Sequence, residues 1–533
     1  MNAKLFKIIV FAIILLYLYP FANTGLPETH DSQIHVARIA AYQKAFLNLN
    51  FPPRWAGNLN FGYGSPLFIF YAPFPGYLGA TLSILGFSFE NSFKILLIIA
   101  FILKSISFFI WLRPNYCRRI SVIGSILYSV IPYHFLNIYV RGDIGELYGF
   151  VFIPLIFWSI DNIIIKQNIK FAYLGAIFFA LLILSHSGLS LIFTPVFLLY
   201  FIIKIFDFQQ IKYFTAMIVL GLLLSCFFWF PAIYEQKYTH SDMFNADMYQ
   251  RHFTPTEKII HSEWNFGSEI NSPGGLSPEI GLIFFIFSII AITNNIRRKN
   301  KKMLFWTIIF FSGIYMSTKY SLVLWQNIWL LKKLQFPWRF MGLASFASCV
   351  FAIHILSKIK NNKHSQLLLL VFILTGFLYT KTNGFFHNTD KFYKNFPFST
   401  YYQGEATTVW SAGDPSDYPD SQVEIISGSG NISNYSKTNS VHVMNVVAEN
   451  NLSILENTLY YPGWKAYVSN IQTPIQFQDP SHKGFITFNV PKGKHQIVVK
   501  FTETKIRTIT NIISFLTWLT VVSFIYKYSI TKK

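Results

Sequence analysis

FKILLIIAFILKSISFFIW, Phe93 to Trp111, is followed after a short turn by ISVIGSILYSVIPYHFLNIY, Ile120 to Tyr139. Each run approaches the 20 or so apolar residues that carry a helix across a hydrocarbon core. The turn between them contains Arg113, Arg118 and Arg119, and basic residues concentrate in the cytoplasmic loops of membrane proteins. Outward from this pair the same alternation recurs. Apolar runs lie at Leu5–Phe21, Leu147–Ile165, Phe171–Leu184, Leu189–Phe206, Tyr213–Tyr234, Ile280–Ile296, Leu304–Met316, Met341–Leu356, Leu367–Leu378 and Ile509–Tyr526. Further basic clusters lie at Arg297 to Lys302, Lys358/Lys360/Lys363 and Lys532/Lys533.

This pattern predicts a polytopic α-helical membrane protein with about twelve transmembrane helices. Both termini are then cytoplasmic, and Leu5–Phe21 is a retained first helix, since no small-residue cleavage site follows it. One further apolar run, Leu67 to Leu85, would invert every later basic cluster if it crossed. It contains Pro73 and Pro75, which remove helix donors, so it is expected to lie along the outer interface. Trp325–Phe336 is expected to do the same.

Composition agrees. The chain of 533 residues is 52% hydrophobic and only 13% charged, against roughly 25% charged in soluble domains. A net charge of +20 would suit nucleic acid, but the loop clustering accounts for it as topology signal and contact with membrane lipids, so no nucleic-acid partner is expected. The three cysteines, Cys117, Cys226 and Cys349, lie in or beside apolar runs and offer no disulfide framework.

The last outer segment changes character. Runs such as Ser440–Ala448, Leu452–Tyr461, Gly484–Val490 and Gln496–Phe501 are separated by Gly, Ser, Asn and Asp. They predict an extracytoplasmic β-sandwich. The expected organisation is a transmembrane module over residues 1–380, a β domain over 381–505 and a final helix with a cytoplasmic tail over 506–533.

Charged residues gather on the outer face. In the first loop Asp31, His35 and Arg38 are spaced i, i+4, i+7, one face of a helix. Asp31 falls at that helix's start, where an ionised carboxylate is favoured and can act as a base; an ordinary N-cap aspartate is the alternative. In the second outer turn Asp143 and Glu146 could share a cation or orient sugar hydroxyls, with Arg141 beside them for a phosphate; an acidic helix start is the alternative. His186 ends a helix, Glu235 opens a long outer loop, and Trp338-Arg339 stands at the mouth of a helix with aromatics at interface depth. There Arg339 either meets an anionic headgroup or snorkels. Pro53-Arg54-Trp55 is a similar set.

Together these residues resemble a known family. His30-Asp31, His35, Arg38, Pro53-Arg54-Trp55, Phe61-Gly62-Tyr63-Gly64-Ser65-Pro66, Arg141 with Glu146, and Phe336-Pro337-Trp338-Arg339-Phe340 resemble the bacterial membrane proteins catalogued as 6-pyruvoyl-tetrahydropterin synthase-related. That family is similar to the GT-C superfamily of lipid-phosphate-sugar-dependent glycosyltransferases. Tyr460-Tyr461-Pro462-Gly463-Trp464 resembles the tail domain of the related YfhO family. The resemblance implies an inverting transferase that takes sugar from a polyprenyl-phosphate donor for a cell-envelope acceptor. Asp31 would be the catalytic base, and Asp143 and Glu146 would position sugar or an optional metal. Arg339, with Arg54 or Arg141, would hold the donor phosphate, and His35, Arg38, His186, Glu235 and Trp338 would line the substrate site. The superfamily includes metal-dependent and metal-independent members, so a divalent ion (Mg or Mn) stays open. A lipid-linked glycan transporter or an envelope scaffold are the alternatives.

The topology is directly testable. Single cysteines in 235–279 and 381–505 should react with an impermeant thiol reagent in intact cells, and one at Asn300 should stay unlabelled. Labelling at Asn300 would invert the orientation.

Overall fold

Helix starts are set by the residues that precede the apolar runs. Ser88 accepts a hydrogen bond from the Asn91 amide at 3.3 Å, and the helix it opens, Phe89–Leu112, extends roughly 36 Å, enough to cross a hydrocarbon core. The computed structural model of the chain describes residue 12 and residues 15–241, 247–298, 300–401 and 404–530. Most of Leu5–Phe21 lies outside the described residues. Each apolar run from Phe93 onward is helical.

The principal helices are α1 (Ser32–Leu47), α2 (Phe74–Ile84), α3 (Phe89–Leu112), α4 (Arg118–Ser129), α5 (Ile144–Lys166), α6 (Ile169–Ser185) and α7 (Ser187–Ile202). They continue with α8 (Phe208–Leu224), α9 (Cys226–Glu235), α10 (Leu282–Arg298), α11 (Lys301–Ser317), α12 (Met341–Lys358), α13 (Asn362–Gly376) and α14 (Lys505–Ile530). Segments 89–112, 144–166, 337–358 and 505–527 are each long and apolar enough to span a membrane alone.

Two runs expected as single crossings are instead sharply bent. The run Ile120–Tyr139 turns by 51° between α4 and Pro132–Arg141, because Pro132 cannot donate to the preceding turn. The run Tyr213–Tyr234 turns by 67° between α8 and the helix from Cys226. There the last helix satisfies the freed backbone groups. The Ser514 hydroxyl accepts from the Phe227 amide at 2.9 Å and donates to the Leu223 carbonyl at 2.9 Å, while the Trp518 indole donates to the Leu224 carbonyl. A break at membrane depth requires such substitutes, since lipid supplies none. After α11 the chain turns by 87° into Lys319–Asn327. Within Leu67–Leu85, α2 has 11 residues, about 16 Å of helix and too short to cross.

Beyond residue 420 the chain forms two antiparallel sheets. One has the order β4-β5-β10-β7-β8, from Gly430–Lys437, Val441–Ala448, Gly493–Phe501, Trp464–Val468 and Ile471–Thr473. The other has the order β3-β6-β9, from Val423–Ser427, Leu452–Leu459 and Phe485–Val490. Alternate residues of β5 (His442, Met444, Val446, Ala448) are buried. They share one apolar core with Ile454, Ile486, Phe488, Ile497 and Val499. Earlier in the chain, β1 (Leu26–Pro27) pairs with β2 (Phe385–Phe386), tying the first loop to the segment that follows the helices. The β core also incorporates Trp55 and Ile69 of the first loop, and Trp55 meets Trp464 edge-on at 5.4 Å between centroids.

A buried ion pair joins the β region to the helices. Glu235, at the end of α9, receives Arg507 of α14 at 2.7 Å, the side chains being 2% and 0% exposed. The Tyr461 hydroxyl donates to the same carboxylate. Removing one partner strands the other charge, so Arg507→Leu should cost about 3–5 kcal/mol. Thermal unfolding in detergent measures this, and Glu235→Gln combined with Arg507→Leu should recover much of the loss.

Candidate functional site

Thr29, not Asp31, does the capping work at the start of α1. The Thr29 hydroxyl accepts from the Ser32 amide at 3.0 Å, and Asp31, at the N-cap position, makes no side-chain cap bond. The first loop is held instead by its backbone: His30 donates to the Val140 carbonyl and Asp31 to the Arg141 carbonyl, both at 2.9 Å. These bonds fix Asp31 against the turn from Arg141 to Glu146. Gly142, at φ +68°, lets that turn reverse, and Thr29 fills the space a Cβ would need.

The turn itself begins as a π-helical segment, Leu136–Arg141, a form frequent at functional sites. It is followed by the start of α5, where Asp143 accepts from the Glu146 amide at 2.9 Å. Arg141, 4% exposed, reaches Asp143 at 2.6 Å and Glu146 at 2.9 Å. Asn137 accepts from the same guanidinium at 2.6 Å, and the Trp338 ring lies 4.3 Å from it. Arg339 donates to Glu146 at 3.1 Å and to the Leu334 carbonyl at 2.7 Å. Glu146 also accepts from the Tyr133 hydroxyl and the Asn137 amide.

A cavity of about 1310 Å³ opens beside this network. Asp31, His35, Arg38, Arg141, Asp143, His186, Trp338 and Arg339 all line it. Glu146 does not. It is fully buried and anchors the guanidiniums of Arg141 and Arg339. Two other expected site residues lie elsewhere. Arg54 pairs with Glu503 at 3.2 Å and donates to Asn511 at 2.8 Å, and Glu235 is consumed by Arg507. Both bind the first loop or the helices to the end of the chain, away from the cavity.

Among the described residues the Asp31 carboxylate has no hydrogen-bond or ion-pair partner. Burial, and then the charge of Asp143, raise its carboxyl above the usual value. Asp143 is the opposite case: burial would raise it, but Arg141 and His186 outweigh burial and hold it well below the usual carboxylate range. His35 is pushed down to about 3 by burial and by Arg38, so its imidazole is neutral. His30 lies 2.8 Å from the Phe266 carbonyl through Nε2, which carries the proton there and leaves Nδ1 as an acceptor.

The ligand atoms of Asp143, Glu146 and His186 lie within 4.8 Å of one another, yet they do not fit a divalent ion. The guanidinium of Arg141 already occupies both carboxylates. His186 Nδ1 accepts from the Leu189 amide at 2.9 Å, so in the neutral ring Nε2 carries the proton and has no lone pair for a metal. That proton faces Asp143 and Glu146 at 3.8 Å.

The cavity also has walls that the sequence did not reveal. Tyr71 and Gln335 both donate to Glu405, at 2.7 and 2.9 Å, and all three line the cavity. Arg38 donates to Thr400 and stacks on Tyr71 at 3.6 Å. Arg251, His252 and Glu269 enter from the loop after α9. Thr400, Glu405, Arg251 and Glu269 carry no local pattern in the sequence that marks them, whereas Arg38 lies on the helix face expected at the site. The lining also includes the apolar side chains of Leu191, Leu222, Phe228, Ile233 and Trp329, of which Ile233 and Trp329 are 66% and 68% exposed.

Comparison with known proteins agrees with the resemblance read in the sequence. An uncharacterized protein of Lactococcus lactis subsp. cremoris (strain MG1363) is 24% identical over 320 residues, covering 56% of this chain and 50% of that one. The chain thus spans about half the length of the relative it matches. Among solved structures, the apo oligosaccharyltransferase of Archaeoglobus fulgidus superposes with a TM-score of 0.41 at 12% identity, over 78% of this chain and 62% of that chain. Archaeal AglB from the same organism, in complex with an inhibitory peptide and a dolichol-phosphate, gives 0.41 at 13% identity over the same shares. The model of the 6-pyruvoyl-tetrahydropterin synthase related domain, described as a membrane protein, matches residues 68–387, more than half of the chain, and the protein belongs to that family.

Proposed function

We propose that this protein is a GT-C-type membrane glycosyltransferase. It takes a sugar from a polyprenyl-phosphate donor and passes it to an acceptor hydroxyl of the cell envelope, on the outer face of the membrane. The carrying observation is the Asp31 carboxylate, which lines the cavity without a hydrogen-bond or ion-pair partner among the described residues, while the adjacent Asp143 and Glu146 are neutralised by arginines. An unpaired carboxylate with a raised pKa suits a general base.

In this reading the acceptor hydroxyl gives its proton to Asp31 as its oxygen bonds to the anomeric carbon. The bond from that carbon to the phosphate oxygen breaks, and its electron pair leaves with the phosphate. Arg339 uses Nε on Glu146 and Nη1 on the Leu334 carbonyl. Its Nη2 has no partner among the described residues and is free for that phosphate, where charge grows in the transition state. Arg54, paired with Glu503, takes no part. The apolar side chains of Leu222 and Phe228 in the lining accommodate the isoprenoid chain, and Glu405 and Arg38, which line the same cavity, are left for the acceptor. Cytoplasmic termini and an outward β domain complete the reading.

Asp31→Asn keeps the shape and removes the base. Transfer of labelled sugar from polyprenyl phosphate should fall about a hundredfold or more, while donor binding survives. Because the folded-state pKa of Asp31 lies above its unfolded value, its charge opposes folding at neutral pH. The thermal midpoint of Asp31→Asn should therefore hold or rise, whereas loss of a structural cap would lower it. Full activity in Asp31→Asn with none in Glu146→Gln would exchange the acids' roles, and indifference to both would favour a transporter.

The pH profile tests the same group. Protonation stops the base, and the raised pKa moves that loss upward, so the acid limb of kcat/KM should lie above the usual aspartate value of about 3.9. A limb at or below it would contradict the assignment. Arg339→Lys keeps a cation but loses the planar fork, and should weaken apparent donor affinity before it slows transfer.

A further inference from the structure

We infer that Arg141 is the resident cation of this site, its guanidinium holding the place between Asp143 and Glu146 where a divalent ion would be bound. The role this gives Arg141 rests on the transferase reading, but the geometry does not.

The chain is built to bring this group in. The π-helical segment Leu136–Arg141 sets Asn137 four residues before Arg141, and Asn137 accepts from Nη1 at 2.6 Å. Gly142 then reverses the backbone, so that Asp143 comes back beside the same side chain and takes Nη2 at 2.6 Å. Nη1 reaches Glu146 at 2.9 Å. One planar fork therefore spans two carboxylates, a geometry that a lysine's single ammonium cannot reproduce. The Trp338 ring at 4.3 Å covers one face of the guanidinium with favourable cation–π contact.

A magnesium ion needs oxygens at about 2.0–2.1 Å in a near-octahedral shell. It could reach Asp143 and Glu146 only by expelling the guanidinium from a position where it is 4% exposed. The remaining coordination is also closed. The second oxygen of Glu146 is taken by Tyr133 and Asn137 at 3.1 and 3.0 Å, and His186 presents a proton. Two guanidiniums face two carboxylates here, and Asp31 is the acid left over. A site so arranged offers its positive charge from the chain itself: the donor phosphate meets Arg339, and Arg141 holds the acids beside it with no ion between.

The test uses the purified full-length protein in detergent, stripped with a chelator and titrated with Mn²⁺ followed by electron paramagnetic resonance. The parent should hold no Mn²⁺ at millimolar concentration. Arg141→Gly should gain one Mn²⁺ site, and that gain should vanish when Asp143→Asn is added. One Mn²⁺ per chain in the parent, lost in Asp143→Asn alone, would overturn the inference, and this holds even where Arg141→Gly does not fold. Because the titration reads no sugar transfer, its result is independent of whether the transferase reading survives.

Discussion

Two guanidiniums packed against two carboxylates, with little water to share, set most of what surrounds them. Away from solvent an ion that loses its partner costs several kcal/mol, so Arg141, Asp143, Glu146 and Arg339 must arrive together. They come from three separate places: the π-helical turn after α4, the first turn of α5 and the turn before α12. The backbone bonds from His30 and Asp31 to residues 140 and 141 then bring the first loop against the same point. The cavity lies where these segments meet. The network neutralises its own acids and leaves the Asp31 carboxylate without a hydrogen-bond or ion-pair partner among the described residues.

The membrane part solves a related problem with neutral groups. A bent crossing exposes amides and carbonyls that lipid cannot satisfy. At the break between α8 and α9 the substitutes come from α14, through Ser514 and Trp518. The same helix begins with Arg507, which reaches back to Glu235 at the end of α9. The final helix is therefore more than an anchor for the β region: it completes the backbone of a helix near the cavity and fixes the start of the loop that covers it. The β core in turn contains Trp55, so the first loop is gripped at one end by sheets and at the other by residues 140 and 141.

Much of this was legible in the sequence. Apolar runs of the right length mark the helices, because burying backbone in lipid leaves few other solutions. Val441–Ala448 could be read as a strand from its alternation, whereas β4, Gly-Asn-Ile-Ser-Asn-Tyr-Ser-Lys, is polar along its length and shows no pattern. The bend at Pro132 was hidden by the apolar run that contains it, and the break at Leu224 has no local mark, since the serine that satisfies it lies at the far end of the chain. Arg54 and Arg339 looked alike, each an arginine beside Trp and Pro, and only their partners separate them: Glu503 consumes one and Glu146 orients the other. Glu405, in an irregular linker, had no local signal at all, because what makes it part of the cavity is its meeting with Tyr71 and Gln335.

The central claim is that the outer cavity holds a lipid phosphate on arginine with Asp31 free beside the reacting carbon. The most direct measurement is a cryo-electron microscopy structure of the protein bound to a non-transferable phosphonate analogue of a polyprenyl-phosphate sugar. The account predicts the phosphonate on Arg339, the lipid chain against Leu222 and Phe228, and the Asp31 carboxylate facing the anomeric carbon from the side opposite the phosphonate. Density for the analogue outside this cavity, or within it but with Asp31 turned away and paired to another side chain, would contradict it.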